Sequence, residues 1–127
     1  MEMCSSSPID PAEIYDTLVK NGAGSVLLHY AVVKPVASVG GTTESIDYCS
    51  IGDSKAELRG IAREMVAEFN LEDVILVRRT GRLSLGDIIS LVAASAASSE
   101  DAFNACRQGL TRLKAMKTIT KEEVFAA

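Results

Sequence analysis

Residues 54–79, SKAELRGIAREMVAEFNLEDVILVRR, decide the fold because two different periodicities follow one another within them. Ser54-Lys55-Ala56-Glu57 matches a capping box, a pattern typical of a helix start. Apolar residues then recur at the three- and four-residue spacing of one helix face, namely Leu58, Ile61, Ala62, Met65, Val66 and Phe69. The apolar, β-branched run within residues 73–79 is typical of a strand. The stretch therefore predicts an amphipathic helix that leads directly into a strand.

Outward from this unit, the same two patterns predict the remaining elements. A short helix begins at Asp10-Pro11 and ends at Asn21-Gly22, a second long helix follows the cap residues 98–101, and residues 1–9 form a loose tail. Further strands are predicted at 25–33, 43–50, 88–97 and 118–125, with a loop at 34–42 and a turn at 80–81. The order α-β-β-α-β-β-α-β favours an α+β fold with a mainly antiparallel sheet and helices packed on one side.

The composition is that of an ordinary globular protein. The chain has 127 residues, of which 47% are hydrophobic and 24% charged, so we expect one domain over residues 1–127 rather than a disordered, collagen-like or coiled-coil chain. The formal net charge of −4 argues against bulk binding to nucleic acid or to an anionic membrane.

The cysteine and histidine content predicts neither a disulfide framework nor a metal site. Cys4, Cys49 and Cys106 are an odd number, are widely spaced and form no CxxC pair, which fits a reducing cytoplasm. We expect Cys49 and Cys106 to pack as small hydrophobes and His29, the single histidine, to be structural. With no signal-peptide pattern and no apolar run of membrane-spanning length, the chain is predicted to be soluble and cytoplasmic.

Two basic groups lie where an anion could bind. Arg78, Arg79 and Arg82 surround the predicted turn, but consecutive strand residues point to opposite faces, so Arg78 and Arg79 cannot both face one pocket. A solvated sheet edge is the favoured interpretation of that group. The second group, at the end of the last helix and just after it, is Arg112, Lys114, Lys117 and Lys121.

This C-terminal group has two interpretations that composition does not separate. Cations at a helix C-terminus complement its dipole, which accounts for Arg112 and Lys114 but less well for Lys121, beyond the predicted helix end. Alternatively, two lysines held close together can serve as a nucleophile or as a general acid and base.

Six segments also follow one another in a specific order and spacing. They are residues 30–34, 46–50, 55–69, 78–87 and 102–105, and finally Lys114 followed after six residues by Lys121-Glu122-Glu123. From about Gly24 to Glu123 the chain resembles the large, catalytic subunit family of molybdopterin synthase.

The resemblance implies sulfur transfer in molybdenum cofactor biosynthesis. In that family a small ubiquitin-like partner, ending in a thiocarboxylated Gly-Gly tail, delivers two sulfurs to cyclic pyranopterin monophosphate to give the dithiolene of molybdopterin. The large subunits form a central homodimer within a heterotetramer. Neither a resident cofactor nor a metal is implied, and no nucleic acid or membrane partner is expected.

The resemblance also implies the site residues. Lys114 and Lys121 would be catalytic, and Lys34 would bind the substrate's phosphate where the family has arginine. The substrate-binding set is Val32, Val33, Lys34, Ser98, Ser99, Lys114, Lys121, Glu122 and Glu123. Ser98-Ser99 replaces a His-Arg pair, and residues 118–120 replace a Pro-x-Trp segment.

Two other functions are compatible with the same residues. A catalytically impaired paralogue could act as a dimeric binding module for the partner tail. A small-anion binding module could instead use Lys34, Arg112 and Lys117.

Overall fold

The computed structural model describes residues 1–38 and 40–126, with the side chain of Ser38 left aside. Val39, within the predicted loop, and Ala127, at the end of the predicted domain, lie outside the described residues. The elements in chain order are β1 (Glu2–Ser5), α1 (Pro11–Thr17), β2 (Ser25–Val32), β3 (Ala37–Ser38), β4 (Gly41–Ser50), α2 (Ser54–Glu68), β5 (Leu71–Arg79), β6 (Gly81–Ser84), β7 (Ile88–Ala96), α3 (Ser99–Lys114) and β8 (Ile119–Ala126).

The strands form two sheets rather than one. The first has the order β1-β5-β7-β2, and the second joins β4 to β3, β6 and β8. Apart from the parallel β1–β5 pair, every pairing between the described strands is antiparallel. The predicted α+β class with mainly antiparallel strands is therefore confirmed.

The first sheet is buried on both faces. The two long helices α2 and α3 share one face, where Met65 and Leu113 pack with Val92 and other alternate strand residues. The short helix α1 covers the opposite face through Ile14 and Leu18. The predicted one-sided arrangement thus holds for the long helices but not for α1. The physical reason is that consecutive residues of β5 and β7 are apolar, so each face needs its own cover.

The start of α2 differs by one residue from its prediction. Asp53 is the N-cap and accepts a hydrogen bond from the Ala56 N–H at 3.0 Å. The Ser54 hydroxyl instead contacts Ser50, at 2.6 Å, and the carbonyl of Thr118. The predicted Ser54–Glu57 capping box is therefore wrong, because both side chains make tertiary contacts.

The predicted loose tail is also wrong for Glu2–Ser5. These residues form β1, parallel to β5, and the Met1 amino group donates to the Val74 carbonyl at 2.9 Å. Pairing with a strand some 70 residues away provides hydrogen bonds to the backbone groups at the outer edge of β5. No local sequence pattern predicts this contact. The helix α1 ends at Thr17, earlier than predicted, because Leu18 is already extended.

Helix length and composition bear on membrane insertion. Among the described residues, no helix is long and apolar enough to cross a bilayer.

Candidate functional site

A cavity of about 560 Å³ lies where the two sheets meet the end of α3. Its apolar wall comes from β2, β4 and β7 and from the segment after β2, and it includes Val32, Val33, Val36, Ile46 and Ile89. Among the described residues that line it, four carry positive charge, namely Lys34, Arg78, Lys114 and Lys121, and one, Glu123, carries negative charge. An apolar pocket with a few converging charged groups is the usual form of a small-molecule site.

The two predicted catalytic lysines meet at this cavity because the chain reverses between them. Lys114 is the last residue of α3, and Lys121 is the third residue of β8, which pairs with β4. Both side chains line the cavity and are exposed to it and to solvent. The six-residue spacing noted in the sequence thus brings two ammonium groups to the mouth of one pocket.

Glu57 of α2 fixes the connection between those lysines. Its carboxylate accepts hydrogen bonds from the N–H of Lys117 at 2.9 Å, and from the N–H and hydroxyl of Thr118 at 3.0 and 2.6 Å. Burial opposes ionisation of this carboxyl, but the hydrogen bonds outweigh it, so the pKa of Glu57 lies below its ordinary value. The charged carboxylate holds the α3–β8 connection in place.

Arg78 is a functional candidate that the sequence analysis placed at a solvated edge. That interpretation is wrong, because β5 is an interior strand and Arg78 is only 7% exposed. Its Nη1 donates to the Leu113 carbonyl at 2.7 Å, and its guanidinium lies over the Tyr48 ring, 5.4 Å from the centroid. Burial lowers the pKa of Arg78. Strand alternation, which separates it from Arg79, was the available signal that one of the two arginines could face a pocket.

Lys34 enters the cavity from the segment that follows β2. The preceding Val33 is buried, and its N–H and carbonyl bond to Asp87 at 3.0 Å and Gly86 at 2.8 Å. Val32 and Val33, which the resemblance placed in the substrate-binding set, line the cavity beside it. Two backbone hydrogen bonds one residue away thus limit the positions that the Lys34 ammonium can reach.

Glu122 and Glu123 fall on opposite faces of β8. Glu123 lines the cavity and accepts a hydrogen bond from the Thr43 hydroxyl at 3.0 Å. Glu122 lies instead in a neighbouring groove with Asp47 and Arg82. Because successive strand residues point to opposite sides, only one of the two can join the site, and it is Glu123.

Ser98 and Ser99 do not line this cavity. They lie at the start of α3, about 22 Å along the helix axis from Lys114. The Ser98 hydroxyl accepts from the Asp101 N–H at 3.2 Å, and the Ser99 hydroxyl contacts the Ser25 hydroxyl at 2.6 Å. Within this chain the two serines have local structural contacts and are not brought together with the lysines.

The remaining candidates lie outside the cavity lining. Arg112 pairs with Glu68 at 2.8 Å, so of the three residues proposed for a small-anion module only Lys34 reaches the cavity. Cys106 is buried, and burial raises the pKa of its thiol to about 11, whereas Cys49 is exposed rather than packed. Within residues 1–38 and 40–126, no three His, Cys, Asp or Glu side chains converge as metal ligands do.

Comparison with known proteins connects this geometry to a family. The family model described as "MoaE protein" matches residues 4–116. The chain is 36% identical over 72 residues to the molybdopterin synthase catalytic subunit of Caulobacter vibrioides, covering 57% of this chain and 48% of that protein. The protein of the same name from Oryza sativa subsp. indica is 35% identical over 72 residues, covering 57% of this chain and 37% of its own length. The chain thus spans half or less of the length of these curated relatives.

Solved structures share the fold at lower identity. A molybdopterin synthase from Staphylococcus aureus superposes with a TM-score of 0.88 at 23% identity, covering 97% of this chain and 90% of that one. A molybdopterin cofactor biosynthesis protein E from Burkholderia multivorans gives 0.84 at 24% identity, with 97% and 82% covered. A complex of subunits 1 and 2 of molybdopterin-converting factor from Helicobacter pylori gives 0.72 at 11% identity, with 98% and 84% covered. With the family model matching most of its length, the chain belongs to the MoaE protein family.

Proposed function

We propose that the chain is a molybdopterin synthase catalytic subunit. It transfers sulfur from the thiocarboxylated Gly-Gly tail of a small ubiquitin-like partner to cyclic pyranopterin monophosphate, giving the dithiolene of molybdopterin. Membership of the MoaE family and the names of the curated relatives support this activity. We place the reaction in the cytoplasm.

The observation that carries the proposal is the convergence of Lys34, Lys114 and Lys121 on one cavity with an apolar wall. Its volume of about 560 Å³ lies within the range of small-molecule sites. The flat, uncharged part of a pterin fits the valine and isoleucine wall, and its phosphate fits the cationic side. The same mouth admits a narrow tail, since Gly-Gly has no side chains to accommodate.

Each lining group has a role in this reaction. Lys34 attracts the phosphate, while Val32 and Val33 contact the ring system. The thiocarboxylate sulfur attacks a substrate carbon and displaces an oxygen group, which leaves protonated, so that tail and substrate are joined as a thioester. Water then attacks the thioester carbonyl, which releases the tail as a carboxylate and leaves the sulfur on the substrate. The ammonium groups of Lys114 and Lys121 stabilise the negative charge that develops on the carbonyl oxygen, and either can donate a proton to the leaving group. Glu123, which accepts a hydrogen bond from Thr43, lies on the same face of β8 as Lys121 and places one negative charge in the lining.

The partners follow from the same proposal. The related Helicobacter pylori structure is a complex of two different subunits, which supports a small sulfur-carrier subunit as the partner of this chain. We propose a homodimer of this chain at the centre of a heterotetramer. For Ser98 and Ser99 to bind substrate, the homodimer must bring the start of α3 of one copy to the cavity of the other copy.

The test is a sulfur-transfer assay with purified protein, thiocarboxylated partner and cyclic pyranopterin monophosphate. Lys114→Ala or Lys121→Ala should reduce turnover by about a hundredfold or more, since each removes a charge used in the transition state. The matched control is Lys117→Ala, because Lys117 lies in the same connection but does not line the cavity. Circular dichroism and thermal unfolding should be unchanged in all three variants.

Two results would contradict the proposal. Normal turnover by either Lys114→Ala or Lys121→Ala would remove that lysine from the catalytic assignment. A wild-type protein that binds the partner tail yet neither binds the pterin nor transfers sulfur would instead be the impaired paralogue, acting as a binding module.

A further inference from the structure

Arg78 is the most deeply buried cation of the cavity. It reaches the cavity from β5, an interior strand of the first sheet, and shares the lining with Lys34, Lys114 and Lys121. Whereas the three lysines are exposed, Arg78 is only 7% exposed. The guanidinium therefore lies at the inner end of the charged side of the pocket.

The contacts of Arg78 leave its charge without a counter-ion. Nη1 donates to the uncharged Leu113 carbonyl, and the Tyr48 ring lies beneath the guanidinium. Its Nε is buried and has no hydrogen-bond partner. None of the ion pairs among residues 1–38 and 40–126 includes Arg78. Glu57, whose charge reaches it electrostatically, is bonded to Lys117 and Thr118 instead.

A buried charge without a counter-ion is costly, and proteins normally pair such charges or place them against a ligand. The other charges of the lining are three cations and one carboxylate, Glu123, so positive charge is in excess. This excess adds to the cost when the cavity is empty and to the attraction when an anion enters. The planar guanidinium suits oxyanions with two acceptor oxygens better than a lysine ammonium does. The geometry thus favours the binding of an anion at the inner end of the cavity.

We propose that Arg78 is a substrate-binding residue that holds the phosphate of cyclic pyranopterin monophosphate at the inner end of the cavity. The proposal rests on the proposed function for the identity of the ligand, but the need for a bound oxyanion follows from Arg78 itself. Lys34 then meets the same phosphate from the mouth. The tail carboxylate of the partner is the alternative oxyanion, and the experiment separates the two.

The hydrogen bond from Arg78 to the Leu113 carbonyl gives it a second effect. Leu113 immediately precedes Lys114, so a ligand that pulls on the guanidinium also acts on the last turn of α3. One 2.7 Å contact thus joins the proposed phosphate-binding residue to the residue that precedes Lys114.

The experiment is a calorimetric titration of the full chain, as wild type and as Arg78→Met. The matched control is Arg63→Met, which removes an exposed guanidinium of α2 that does not line the cavity. The ligands are cyclic pyranopterin monophosphate, inorganic phosphate and a short peptide ending in Gly-Gly. Arg78→Met should weaken binding of the pterin and of phosphate by about tenfold or more, with the peptide unaffected. Arg63→Met should bind all three ligands as the wild type does.

The outcomes distinguish this inference from the function on which it rests. Equal pterin affinity in wild type and Arg78→Met overturns the inference and leaves sulfur transfer untouched. Weakened peptide binding with unchanged phosphate binding overturns it in favour of the tail carboxylate. A wild type that ignores the pterin, yet loses phosphate binding in Arg78→Met, overturns the proposed function and keeps Arg78 as an anion-binding residue.

A purely structural Arg78 makes a different prediction. Loss of the Leu113 contact alone would lower the melting temperature of the ligand-free protein and weaken all ligands alike. Nitrogen-15 NMR of the wild type provides a test that needs no variant, including the case in which Arg78→Met does not fold. The Nε signal of Arg78 should shift saturably with inorganic phosphate, and a signal that stays unmoved at saturation would overturn the inference.

Discussion

At the scale of single residues, the charged side of the cavity depends on how each cation is held. Arg78 is bonded to a carbonyl, whereas Lys34 projects from a segment fixed by the two backbone hydrogen bonds of Val33. Lys34 is exposed and sits at the mouth, so its ammonium exchanges water for a ligand at little cost. A lysine in this place attracts a phosphate as a point charge, without the two-point geometry of arginine.

Substitution of Lys34 tests that role. Lys34→Ala should weaken binding of cyclic pyranopterin monophosphate by about tenfold, because one charge-assisted hydrogen bond is lost. Lys34→Arg should bind at least as tightly as the wild type, because the guanidinium can contact two phosphate oxygens. Calorimetric titration measures both, with Lys55→Ala on the exposed side of α2 as control. An unchanged dissociation constant in Lys34→Ala would exclude Lys34 from the proposed phosphate-binding site.

At the scale of elements, the site depends on the connection between α3 and β8. This connection has no regular structure of its own, and Glu57 of α2 binds two of its N–H groups and the Thr118 hydroxyl. Ser54 adds a contact from the same turn of α2 to the Thr118 carbonyl at 3.2 Å. The first turn of α2 thus sets where α3 stops and β8 starts, and with them Lys114 and Lys121.

Glu57→Gln should loosen this connection. We expect the free energy of unfolding to fall by about 1–2 kcal/mol, since a charged acceptor of several hydrogen bonds becomes neutral. Amide hydrogen exchange at Lys117 and Thr118 should accelerate, while the core of α3 stays protected. Glu64→Gln, on the same helix but with an exposed contact to Arg112, is the control. Unaltered exchange at both amides in Glu57→Gln would show that the carboxylate does not hold the connection.

The same contact has a pH dependence with a definite sign. The folded-state pKa of Glu57 lies below its ordinary value, so its stabilising effect is fully present above the ordinary pKa of a glutamate, about 4.3. It is lost as the pH falls through the lowered folded-state value. The stability difference between wild type and Glu57→Gln should therefore be constant at neutral pH and shrink below about pH 4. Urea unfolding at several pH values measures it.

At the scale of the whole molecule, α3 packs closely against both α2 and the first sheet. A Cβ added at Gly109 would lie 3.0 Å from the Met65 methyl of α2 and 3.0 Å from a Val92 methyl of β7. The absence of a side chain there lets the helix approach the sheet, which brings Leu113 into contact with Arg78 at the cavity. Gly60 of α2 has nothing within 4 Å of the same added atom.

Alanine at the two helical glycines should therefore have opposite effects. Gly60→Ala should raise the free energy of unfolding by about 0.5–1 kcal/mol, because alanine is the better helix former and the site is open. Gly109→Ala should lower it by about 1 kcal/mol, since overpacking against the stiff Val92 side chain exceeds the helix gain. Thermal unfolding of both variants measures the contrast. Stabilisation by Gly109→Ala would mean that α3 does not approach β7 so closely.

Short-range patterns in the sequence determined the secondary structure and the fold class of this protein. Periodicity and cap residues, which act within one or two turns, predicted the three helices, five of the eight described strands and their antiparallel character. The spacing of six residues between Lys114 and Lys121 is also a property of the sequence itself. These patterns involve residues that are close in the sequence, so the sequence alone was enough to predict these elements.

Only the tertiary structure decided which groups form the cavity. The contact of Arg78 with Leu113 joins residues 35 apart, that of Glu57 with Thr118 joins residues 61 apart, and β1 pairs with a strand more than 70 residues away. Ser98 and Ser99, which the resemblance grouped with the lysines, lie at the far end of α3. Such contacts depend on how helices and sheets pack. A buried polar group forms a hydrogen bond with whichever partner packing brings near it, and that partner can lie far away in the sequence.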